Sequence, residues 1–241
     1  MNPKLIPWVF VWIWSTGFIA AKYGLPYAEP FTLLSYRFVI TLFFLLILII
    51  YKKSPWPETR LDFFHLLIAG VLIHGVYLGG VFQALKWGMP AGLGAMVIGL
   101  QPIGMALVAG VLLKEEVSKK QWTGLIMGLV GLYLVLFDSL DLTEQIAFDG
   151  FPIWAVFAVI ISLFAISIGT IYQKRFCSNM NLYSGAWVQY FSASILCILI
   201  VLFFDCSISR FSFVEFIDVS MFLCFNAEAV PASFFWKCIP T

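Results

Sequence analysis

Long apolar runs separated by short charged clusters organise this chain. Seven runs stand out, at 5–24, 32–51, 64–86, 91–113, 121–138, 151–173 and 183–204. Each approaches or reaches the roughly 20 mostly apolar residues that a helix needs to cross hydrocarbon. The first run, Leu5 to Ala21 behind Lys4, also has the form of a signal peptide, but six further runs favour an uncleaved first helix. Composition agrees: 62% of the 241 residues are hydrophobic and 11% charged, against roughly 45–50% and about 25% in soluble domains. Lipid, not water, is therefore the solvent for most of the chain. The expected fold is an all-α multi-pass membrane protein. A net charge of +1 offers no bulk electrostatic case for nucleic acid.

The charged clusters orient the runs, because Lys and Arg collect in cytoplasmic loops. The loop after the second run holds Lys52, Lys53 and Arg60; after the fourth, Lys114, Lys119 and Lys120; after the sixth, Lys174 and Arg175. With Lys4 these make nine of the fourteen Lys and Arg residues. Opposite loops hold only Lys22 and Lys86, and the loop after the fifth run carries Asp138, Asp141, Glu144 and Asp149. The amino terminus is thus expected in the cytoplasm.

A short motif recurs along this pattern. Ser15, Gly17, Ile19 and Lys22 match Ser167, Gly169, Ile171 and Lys174 at one shift of 152 positions, which also sets Arg37-Phe38 against Gln189-Tyr190. Five runs separate the two starts, an odd number, so the second copy enters from the other face. Duplicated units inserted in opposite orientations are the build of many secondary transporters. The expected units are a five-helix repeat at 5–138, the first two helices of its inverted copy at 151–204, and a divergent, weakly apolar tail at 205–241. The same shift would place the copy of 64–138 at 216–290, whereas the chain ends at Thr241, 49 residues earlier (290 − 241).

Small residues four apart let helices approach closely in lipid: Gly75 and Gly79, Ala95 and Gly99, Gly124 and Gly128. Packing within one chain explains them more simply than a dimer interface, which nothing indicates. Pro102 withdraws a backbone donor in the fourth run, which also holds Gly92, Gly94, Gln101, Gly104 and Gly110. Such a break is tolerated only against protein or a wet cavity, so this run is expected to face the interior. Cys177, Cys197, Cys206, Cys224 and Cys238 match no close-paired metal-ligand spacing. Cys206 and Cys224 would bridge only in an extracytoplasmic tail.

Several segments together resemble a known family. They are Trp14-Ser15-Thr16-Gly17-Phe18, Tyr36-Arg37-Phe38, Gln83 to Lys86, Pro90 to Gly92, Leu100-Gln101-Pro102, Leu113 to Glu116, Gln121 to Gly124 and Gly128 to Gly131. In this order they resemble the EamA family of the drug/metabolite transporter superfamily, well over 5–138 and more loosely over 151–204. Lys114 stands where that family usually has Gly. The resemblance implies a ten-helix transporter of two inverted halves that moves metabolites, amino acids or drugs across the inner membrane, often outward. A transport-inactive truncated or frameshifted remnant is the alternative.

Candidate pathway residues follow from polarity inside the runs. Arg37 is the one Lys or Arg well inside a run, and a charge there is costly enough to imply a cavity, a partner or snorkelling to the headgroups. It would attract an anionic group. His74 is a core histidine or a proton relay, and on the second reading transport is proton-coupled. Trp14, Ser15, Tyr36, Tyr77, Gln101, Pro102, Tyr172, Gln189 and Tyr190 complete the candidate lining, since rings with a few amides suit amphipathic organic solutes. Trp8, Trp56, Trp87, Trp122 and Trp154 fit the interfacial belt instead. Glu115 is placed to pair with Lys119 at helical spacing. The expected partners are the lipid bilayer and a small organic solute. No catalytic constellation, metal set or phosphate loop is present in the sequence, so no enzyme activity or cofactor is expected. A seven-helix retinal protein would need a lysine in the last helix, and 182–204 contain none.

Overall fold

The computed structural model describes residues 17, 21, 23–26, 28–112, 119–137 and 150–204, and these are helical or in short turns, with no strand among them. The helices are α1 (Pro30–Lys52), α2 (Arg60–Lys86), α3 (Ala91–Ile98), α4 (Gln101–Leu112), α5 (Lys119–Phe137), α6 (Ile153–Phe176) and α7 (Leu182–Phe204). Five stretches are long and apolar enough to cross a membrane: α1, α2, α3 with α4 up to Gly110, α6, and α7 to Phe203. The chain is thus a multi-pass helical membrane protein. In α5 the apolar stretch Trp122–Gly131 is shorter than a full span. Most of the first run, with Trp14 and Ser15, lies outside the described residues, as do Glu115 and the 205–241 tail.

Local chemistry sets the helix ends. Pro30 opens α1 behind an extended Glu29, a position where the missing N–H costs nothing. Lys53 closes α1 in the left-handed conformation (φ 49°), its N–H returned to Ile49 and Ile50. The Thr59 hydroxyl accepts from Asp62 N–H at 3.0 Å to cap α2. Asn181 Oδ1 accepts from Tyr183 N–H at 3.0 Å to cap α7. In the fourth run the break falls at Gly99–Leu100, between α3 and α4. Pro102 has no N–H to return to the Ile98 carbonyl, so the ladder loosens one turn upstream. Contrary to the expectation of an interior position, this run is the least buried of the five among the described residues. Its buried side is the Gly104 face, set against Ser167 and Leu163 of α6.

Glycines carry the packing, because lipid-embedded helices gain little from the hydrophobic effect and depend on close contact. A Cβ on Gly70 would strike the Gln189 carbonyl oxygen and Ser192 Oγ of α7; one on Gly80 would strike Ser162 Oγ of α6. Gly169 is closed over by Ile73 and Leu72. A Cβ added to Gly75 would lie 2.7 Å from Leu196 and one added to Gly79 2.8 Å from Phe31, so that pair of small residues does admit close neighbours. Gly124 and Gly128 have no such neighbour within 4 Å among the described residues. The serines of α6 that face these glycines return their hydroxyls to their own helix, Ser162 to Ala158 O and Ser167 to Leu163 O, both at 2.7 Å. No hydroxyl is then left bare in the interface.

Contact order reveals helix direction. Between α1 and α7 the contacts are Phe38 with Tyr190, Leu42 with Trp187 and Pro55 with Ser184, rising on one side and falling on the other. The two helices are antiparallel. Between α2 and α6 they are His65 with Tyr172, Ile73 with Gly169 and Gly80 with Ser162, again antiparallel. Between α2 and α7 they are Leu66 with Gly185, Gly70 with Gln189 and Gly75 with Leu196, so these run parallel.

Candidate functional site

Near its middle α2 departs from α-helical bonding. Val71–Val76 forms a π turn. It inserts an extra residue into one turn, a device found often at functional sites. His74 lies in it, 14 residues after Arg60 and 12 before Lys86, hence near half-depth. The close approach of Gly70 to the α7 backbone just before the turn, and of Gly75 to Leu196 within it, seats this wider segment directly on α7.

Around His74 three helices contribute polar and aromatic side chains. Its ring stacks on Tyr190 of α7, centroids 4.2 Å apart and planes 24° from parallel. Phe38 of α1 packs on both, at 6.4 Å from His74 and 5.6 Å from Tyr190. The Gln189 side chain, 4% exposed, shares a hydrogen bond with His74. Arg37, 9% exposed, acts electrostatically on both His74 and Tyr77, and Tyr77 and Thr41 are themselves buried. One full positive charge, one amide, one imidazole and two phenols thus meet beneath aromatic faces. Such a group can hydrogen-bond and orient a polar solute, but it holds no nucleophile–base pair.

Of the expected lining residues, the structure brings together Arg37, His74, Tyr77, Gln189 and Tyr190. Tyr36 is 42% exposed and stands outside this cluster. Tyr172 belongs to a second group nearer the Lys174-Arg175 end, where its hydroxyl meets His65 Nδ1 at 2.6 Å and both rings pack on Phe176. Gln101 and the exposed Pro102 lie at the start of α4, at the break in that run. Trp14 and Ser15 fall outside the described residues. Phe38 was not among the candidates, although it was legible as the residue opposite Tyr190 at the shift of 152.

Charge outside the cluster separates the two ends of the bundle. Lys52 and Lys53 end α1, Arg60 begins α2, and Lys174 and Arg175 end α6, whose last turns pack on the first turns of α2. At the other end Lys86 Nζ meets Glu29 Oε1 at 3.0 Å. Nearby Trp87, Pro152, Trp154, Phe157, Ala158 and Ile161 line an open groove of about 590 Å³. It is almost wholly apolar, and suits lipid chains more than a polar solute. No group of three or more His, Cys, Asp or Glu that could hold a metal ion occurs among the described residues.

Comparison with known proteins gives this arrangement a setting. Residues 7–137 match the model of the EamA-like transporter family. The chain is 26% identical over 163 residues to a probable amino-acid metabolite efflux pump of Salmonella typhimurium, covering 68% of this chain and 50% of that one. It is 25% identical over 168 residues to the protein of the same description in Escherichia coli, covering 69% and 52%. It is 28% identical over 156 residues to the uncharacterized transporter YyaM of Bacillus subtilis, covering 59% and 50%. The chain spans about half the length of these relatives. A match over more than half of the chain, on a helical membrane fold, shows that this protein belongs to the EamA-like transporter family.

Proposed function

We propose that the protein is a secondary transporter that exports small organic metabolites, amino acids or drugs by alternating access, with the Arg37–His74–Gln189–Tyr190 cluster on its pathway. The observation that carries this reading is the relation between α1 and α7. Both have 23 residues, and both their starts (30 and 182) and their ends (52 and 204) differ by 152. They pack antiparallel, and Phe38 touches Tyr190, its own counterpart at that shift. Residues that touch their own repeat partner lie on the axis relating the copies. In inverted-repeat transporters the solute binds near that axis, at the bilayer midplane.

Helix direction supports the sidedness. Since α2 and α6 are antiparallel, an even number of crossings separates them; α3 with α4 supplies one, and α5 supplies the second. Seven crossings follow once the first run is counted, with the Lys52–Arg60 and Lys174–Arg175 loops and the amino terminus in the cytoplasm. Outward direction rests on the relatives described as probable efflux pumps alone.

Everted membrane vesicles containing the full chain provide the test. Export appears there as uptake of labelled solute, measured over a panel of amino acids and small organic acids with and without a proton gradient. Several-fold uptake over control vesicles for at least one solute is expected, and dependence on the gradient would assign proton coupling. No movement across the whole panel is the outcome for a transport-inactive remnant, and it would sink the proposal.

A further inference from the structure

We infer that the cluster selects small monoanionic carboxylates that carry a flat apolar group, with Arg37 as the residue that sets the preference. The inference rests on the transporter reading and concerns its solute. No Asp or Glu occurs between Glu29 and Glu58, between Asp62 and Glu115, or between Asp149 and Asp205. The five membrane-crossing stretches outside the first turn of α2 therefore hold no acidic side chain, and Arg37 sets the sign of the fixed charge at their centre. A buried cation in hydrocarbon is costly, and such a residue faces a partner, a cavity or a solute pathway.

The chemistry around Arg37 narrows the ligand. A guanidinium presents a planar fork of donors that matches a carboxylate and keeps its charge at any physiological pH. Gln189 adds a donor and an acceptor. The stacked His74 and Tyr190 rings, with Phe38 edge-on to His74 and tilted against Tyr190, supply aromatic surface beside these donors that suits a planar or aromatic group. A single cation balances a single negative charge; a dianion would bring an uncompensated charge to half-depth, and an organic cation would meet like charge.

The probes are phenylacetate, phenylacetamide and phenethylammonium, which share a ring and differ in charge. Binding of labelled phenylacetate to the purified full chain in lipid nanodiscs, with the other two as competitors, reads the preference. Phenylacetate should bind about tenfold or more tightly than the amide, the difference expected of a charge-assisted hydrogen bond, and the ammonium should not compete. R37Q should abolish the preference for acid over amide. R37K, which keeps the charge without the fork, should retain part of it, and it decides the matter if R37Q fails to fold. Absence of phenylacetate binding, equal binding of acid and amide, or full acid preference in the folded variants would overturn the inference. Acid-selective binding without movement in vesicles would instead remove the transporter reading and leave the carboxylate site standing. Movement of the amide or the amine with no preference for acid would do the reverse.

Discussion

At the scale of single residues, close contact and charge make different demands. Gly70 admits no Cβ without meeting α7 backbone, whereas Gly128 meets nothing within 4 Å among the described residues. Gly70→Ala should lower the unfolding free energy by about 1–3 kcal/mol through overpacking. Gly128→Ala should be neutral, or gain up to about 1 kcal/mol from helix propensity. Denaturation in mixed micelles compares the two, and equal effects would remove the packing argument. Cys177, just beyond α6, offers a pH test: burial, with Asp62 nearby, pushes its thiol up from 9.0 to about 11. Since the thiolate is the reactive form, a variant with the other four cysteines replaced by serine should react with maleimide about a hundredfold more slowly at pH 7.5 than a free thiol of pKa 9. The rate should then rise about tenfold per pH unit up to near pH 10. Fast, pH-independent labelling at pH 7.5 would contradict the burial. Arg37 and His74 were legible as polar residues in apolar runs. Their meeting with Gln189 and Tyr190 was not, since no periodicity reports which of seven runs pack together.

At the scale of elements, the apolar runs translated into helices with ends shifted by a few residues, because caps rather than hydropathy set the termini. The run expected at 64–86 begins instead at Arg60, where Thr59 caps it and Asp62 lies in the first turn. The π turn was not legible. It contains no proline, and Gly70 and Gly75, which flank and enter it, both approach α7, a tertiary relation that no local pattern reports. Pro102→Ala would restore an N–H for the Ile98 carbonyl, so amide exchange around Gly99–Leu100 should slow in that variant; unchanged exchange would place the cause of the break elsewhere. The antiparallel pairing of α1 and α7 predicts that a P55C/S184C double variant forms a disulfide on mild oxidation, whereas P55C with a cysteine at Leu199 does not. The Ser184 hydroxyl already donates to the Pro55 carbonyl at 2.6 Å. Cross-linking of the second pair rather than the first would reverse the assigned direction.

At the scale of the whole molecule, a shift of 152 seen in ten residues recurs in two helices that obey it at both ends and meet at Phe38 and Tyr190. Span counting predicts an inversion, because an odd number of crossings is expected between the two proposed copies. Only geometry shows that α1 and α7 touch beside a polar cluster. Family membership sets the class of protein, and local chemistry around Arg37 supports the proposed solute. Inversion of α1 relative to α7 is the claim on which pathway, sidedness and midplane site all depend. Single cysteines at Glu58, after α1, and at Asn179, before α7, test it directly when probed with a membrane-impermeant maleimide, with Pro90 as the opposite-side control; all three positions are exposed. In otherwise cysteine-free protein, Glu58→Cys and Asn179→Cys should label only in everted vesicles and Pro90→Cys only in intact cells. Labelling of positions 58 and 179 from opposite faces would contradict the inverted arrangement.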